Sequence, residues 1–217
     1  RTLTEGTMNS VSHLTAAQVS MKQSPEVAMR HVQAAAAGGG GGAWPVRLSM
    51  AECLIALGDP SGAVDVLEAM RAENPNDQYL IALLATAFRM LGDPRYGQLY
   101  DYGRFVREAR IQVPDGWPTL DAYLADLAGA LTELHQLRTH PIGQSVRGAS
   151  QATAPLARNQ NPVIRAFFTT IDHNIRAFID SLGEGVDPLR SRTAPGYAFA
   201  GSWSVMLRPD GYHASHV

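Results

Sequence analysis

The chain has 217 residues, 45% hydrophobic and 18% charged, a make-up that suits a globular protein of one large domain or two small ones. Its 18 Lys and Arg against 20 Asp and Glu leave a formal net charge of −2 with no basic block, which argues against nucleic acid as a partner. A lone cysteine excludes an internal disulfide framework, no run reaches the ~20 apolar residues of a membrane span, and a cytoplasmic location is expected.

The first helical signal is Ser24-Pro25-Glu26-Val27-Ala28-Met29, where Pro25 suits the opening of a helix and Ala28 a close crossing. Ala34 to Gly42, four alanines then five glycines, reads as a helix end running into a connection. It lacks the Lys-Ser/Thr of a phosphate-binding loop. Cys53 lies among small and apolar residues, which predicts a buried, inert thiol.

Leu57-Gly58-Asp59-Pro60 returns as Leu91-Gly92-Asp93-Pro94, and 91 − 57 = 34, the period of the tetratricopeptide repeat. In a unit spanning 44–77, Gly58 and Pro60 end one helix and begin the next, Ala63 takes the small crossing position, and Val64, Leu67 and Met70 form an apolar stripe. An earlier unit around Pro25 fits with an offset of one residue. The next unit, 78–111, has a good first helix, with Leu80, Leu83, Leu84, Ala87 and Leu91. Its second helix is degenerate, with Gly97 at the crossing and Tyr100, Tyr102 and Phe105 beyond it, as a terminal unit allows.

From Pro118, the spacing of Leu120, Tyr123, Leu124, Leu127, Leu131 and Leu134 predicts a helix packing on the array. The polar stretch 143–161 has no clear period. Asn161 and Pro162 then open a helix over 162–182 with one apolar face; His173 lies away from that face and reads as a solvated bystander. From Tyr197 to Leu207 large residues alternate with small ones, predicting a strand over 197–208, and Pro209-Asp210-Gly211 reads as a turn into a second strand, 212–217. On such a strand His213 and His216 point to opposite faces, so they should not hold one metal together. A zinc site using both would need a tight turn and lacks cysteine partners.

These features resemble a known family, bacterial proteins with N-terminal tetratricopeptide repeats and a C-terminal 2-oxoglutarate- and Fe(II)-dependent oxygenase domain. The resemblance rests on 99–106 (LYDYGRFV), 140–148 (HPIGQSVRG) and the stretch from Ser202-Trp203-Ser204-Val205 through Gly211-Tyr212-His213 to His216. Gly103 and the run 149–152 depart from the family pattern. The resemblance implies an α+β chain: a helical repeat region over 1–138, then over 139–217 the first strands of a double-stranded β-helix, or jelly roll. It implies His216 as the first iron ligand, five residues after Gly211 in the pattern G-x-x-x-x-H-x-[D/H], and Fe(II) and 2-oxoglutarate as cofactors of the complete protein. Trp203 and Tyr212 would shape the cavity wall. Because the chain starts at Arg1 and stops just after His216, a fragment inactive by itself is expected. Two functions follow: a hydroxylase that uses its repeats to position substrate, or a non-enzymatic adaptor whose repeat surface holds a protein or peptide partner.

Overall fold

The computed structural model describes residues 9–136, 145–152 and 154–214. They form α-helices and one two-stranded antiparallel sheet. Two compact units result: residues 1–106 with 185–192, and residues 107–184 with 193–217.

The first unit is a run of antiparallel helix pairs: α1 (Ser10–Ser20) with α2 (Pro25–Ala35), α3 (Trp44–Ala56) with α4 (Pro60–Glu73), and α5 (Gln78–Leu91) with the short α6 (Arg95–Leu99) and α7 (Tyr102–Phe105). Helix α3 is shared by two core clusters. Ala51 packs with Ala63, Leu67, Met70, Leu80 and Leu84, whereas Val46 and Cys53 pack with Ala17, Ala28, Val32 and Ala35. Burying one leucine-sized side chain contributes ~1.5–3 kcal/mol, and no helix pair could bury its stripe alone, so stacking stabilises the unit.

The two Leu-Gly-Asp-Pro segments are turns of one kind. Gly58 (φ 78°) and Gly92 (φ 66°) are left-handed, a conformation that disfavours a Cβ. Asp59 then caps α4 by accepting from the Gly62 N–H at 3.0 Å, while Asp93 accepts from the Arg95 N–H at 2.8 Å.

The offset of the earlier unit has a cause. Pro25 and Pro60, like Ala28 and Ala63, stand 35 residues apart, yet α1 and α3 begin 34 apart. The stretch from α1 to Pro25 is one residue shorter than that from α3 to Pro60, and the chain makes this up after α2, where the helix widens into a π-type turn over Ala36–Gly40 with Gly39 left-handed. The equivalence of Ala63 and Gly97 needs correction. Ala63 is fully buried, but Gly97 is exposed, and a Cβ placed on it would meet nothing within 4 Å. The third pair's second helix stops at Leu99, and Tyr96 stacks on Tyr100 with ring centroids 5.3 Å apart.

In the second unit, α8 (Leu120–Thr132) packs on α9 (Pro162–Leu182). Tyr123 decides this, being fully buried, with its hydroxyl donating to the Val163 carbonyl at 3.2 Å and its ring edge-on to Trp117. The sheet pairs β1 (Val146–Ala152) with β2 (Ser204–His213). The period-two run from Tyr197 is extended in pattern only. Tyr197 donates to Asp172 and Phe199 sits edge-on to Phe168, so these residues face α9, and pairing begins at Ser204.

No hairpin forms at Pro209-Asp210-Gly211. The register jumps from Arg147↔Tyr212 to Ala149↔Leu207, leaving residues 208–211 as a bulge opposite Gly148. Asp210 (φ 65°) and Gly148 (φ 60°) are both left-handed there, and a Cβ on Gly148 would lie 3.1 Å from the Gly211 Cα. Turn chemistry is present, but it kinks one strand instead of joining two. Among the described residues this pair is the whole sheet, and a jelly roll is not seen.

Candidate functional site

The repeat unit ends in an open cavity of about 390 Å³. Helix α4 contributes Glu68 and Arg71, the end of α5 contributes Phe88, and α6 and α7 contribute Leu99, Arg104 and Phe105. The far wall is a segment distant in sequence, Val186 to Arg190. That segment is a tight loop: Asp187 accepts from the N–H groups of Leu189 and Arg190 and pairs with the Arg190 guanidinium. The guanidinium folds over Gly185, where a Cβ would lie only 2.3 Å from it, so a larger residue there would push the arginine head aside.

The rim is ordered by one arginine. Arg95 reaches Glu68 at 2.5 Å and Asp93 at 2.7 Å, and its guanidinium lies 4.2 Å from the centre of the Phe88 ring. Hydrogen bonds from Arg95 hold the Asp93 carboxyl below the usual carboxylate range. Arg104 faces Asp101 at a loose 3.7 Å. Arg71 is half-buried and makes no hydrogen bond or ion pair with any described residue. Apolar floor and cationic rim together suit a ligand with both characters.

A second groove of about 470 Å³, lined by Ala36, Val46, Met50, Val66 and Ala69, is almost entirely apolar. Its one cation, Arg47, is taken by Glu73 at 2.6 Å. Between α3 and α5, the Tyr79 hydroxyl donates to Glu52. Burial first, and the Glu52 carboxylate second, push the Tyr79 hydroxyl up to about 12. Cys53 is fully buried, with its thiol pushed up to about 11 by burial and then by Glu52, so it is a packing residue and not a nucleophile.

The residues implied by the oxygenase resemblance fare differently. His216 lies outside the described residues. His213 is exposed at the end of β2, 3.3 Å from the Ser145 hydroxyl. Trp203 lines a cavity of about 320 Å³ with Phe199, Gln151 and Arg158, whereas Tyr212 is not part of that wall. Among the described residues no three His, Cys, Asp or Glu side chains come together to hold a metal ion. One histidine escaped notice in the sequence. His135, just after α8, contacts the Ser150 hydroxyl through Nδ1 at 2.8 Å and the Ser204 hydroxyl through Nε2 at 2.9 Å, tying the helix end to both strands. Its partners are 15 and 69 residues away, so no local spacing could flag it.

The helix pairs, the 34-residue period and the paired left-handed turns can be set beside known families. Residues 22–87 match the tetratricopeptide repeat. The match runs from just before α2 into α5, across both core clusters. No curated protein and no solved structure matches the chain. Among the described residues no helix is long and apolar enough to cross a membrane.

Proposed function

We propose that the protein is a non-enzymatic adaptor whose repeat region holds a segment of a protein partner. The observation that carries this reading is the repeat match over 22–87, which coincides with stacked helix pairs leading to the open cavity at Phe88, Leu99 and Phe105. Stacked repeats build extended surfaces on which partner chains lie, and a cavity of this size takes one or two side chains of such a chain.

The oxygenase reading rests on the resemblance alone. It would assign iron binding to His216, which lies outside the described residues. The adaptor reading is therefore the one put forward.

Selection of random linear peptides on the whole chain, followed by fluorescence anisotropy of the enriched sequences, tests it. Gly97→Trp is the matched control: the position lines the cavity and a Cβ there meets nothing within 4 Å, so the substitution places an indole at the cavity without a clash at its base. Peptides that bind the natural chain and lose affinity for Gly97→Trp support the adaptor. Enrichment no greater than on a bare support contradicts it.

A further inference from the structure

The cavity at the end of the repeat is lined by four arginines that differ in their partners. Arg71, Arg95, Arg104 and Arg190 line it, against Glu68, Asp101 and Asp187. Arg95 is fully engaged by Glu68 and Asp93, and Arg190 by Asp187. Arg71 is the exception, and its position explains why. Glu68 stands three residues earlier on α4, at the spacing that would ordinarily pair with it, but turns instead to Arg95. Arg71, a half-buried residue lining the cavity, is thus left beside an apolar floor with no anion from the described chain. Partial desolvation of a charge is unfavourable until an opposite charge meets it, and guanidinium–carboxylate contacts are short and paired.

Building on the adaptor reading, we infer that this cavity recognises a carboxylate-bearing peptide segment: an Asp or Glu side chain on Arg71, with a neighbouring aromatic or aliphatic residue on Phe88, Leu99 and Phe105. Arg104, loosely held by Asp101, stands at the same rim as a second cation for the incoming acid. The apolar groove lined by the turn after α2 and by α3 and α4 has no such anchor, because Arg47 is already bound by Glu73.

The test reads the composition of the selected peptides and then the role of Arg71. Enriched sequences should carry Asp or Glu within a residue or two of an aromatic or aliphatic side chain. Replacing that acid by its amide, or Arg71 by Gln, should each weaken binding ~10-fold or more, and Arg71→Lys should restore part of the loss. Binding should also weaken as salt rises. Circular-dichroism melts of both Arg71 variants establish that they fold. Enriched peptides without acidic residues, or full affinity for Arg71→Gln, would overturn the inference. Binding abolished by Gly97→Trp yet untouched by Arg71→Gln would keep the adaptor and remove the acidic partner, whereas no enrichment at all would remove both.

Discussion

Gly58 and Gly92 make the same turn one repeat apart. In each, the following residue, Asp59 or Asp93, donates its N–H to a carbonyl of the preceding helix, Leu54 or Phe88, at 2.9 Å, while the glycine N–H reaches Ile55 or Arg89. Both left-handed glycines thus close their helices with the same pair of bonds before proline starts the next.

Gly58→Ala and Gly92→Ala should therefore each destabilise the protein by ~1–2 kcal/mol, since a Cβ in left-handed backbone costs about that much. Urea unfolding measures it. The double variant should show roughly additive loss, because the two turns share no partners.

Ala63 and Gly97 should respond in opposite ways. Ala63→Trp forces a large ring into a fully buried helix crossing, at a cost of ~1–3 kcal/mol or more. Gly97→Ala meets open space in a short helix and should be neutral or stabilising by up to ~1 kcal/mol. Equal losses in thermal melts would show that the third pair keeps a close crossing after all.

What was legible in the sequence was local. The Leu-Gly-Asp-Pro repetition revealed the turns and Ala63 the crossing, because turn chemistry and helix spacing act over a few residues. The apolar face of 162–182 likewise corresponds to a helix. The strand β1 was not legible: Val146-Arg147-Gly148-Ala149-Ser150-Gln151-Ala152 has no alternation, and its pairing with Ser204–His213 is decided by a partner some 60 residues away. The cavity was illegible for the same reason. Arg71, Phe88 and Leu99 belong to the repeat, but the wall at Val186 to Arg190 comes from far along the chain, and Arg71's lack of a partner depends on Glu68 having turned to Arg95.

Tyr79 gives a pH signature. Its folded-state ionisation, near 12, lies above the ordinary value of ~10 for an unfolded tyrosine, so the folded state holds the proton longer. The associated stability is fully present below pH ~10 and is lost as pH rises towards 12. Denaturation followed across this window should show a fall that Tyr79→Phe reduces. The same variant should cost ~0.5–1.5 kcal/mol near neutral pH, through the lost bond to Glu52. An unchanged fall in Tyr79→Phe would place the titration elsewhere.

Hydrogen–deuterium exchange on the whole chain, with and without the tightest selected peptide, tests the adaptor most directly. The account predicts added protection in residues 88–105 and 185–190, where the cavity walls lie, and none in the strand pair 146–152 and 204–213. Protection confined to the strand pair, or absent from the cavity walls while the peptide is bound, would contradict it.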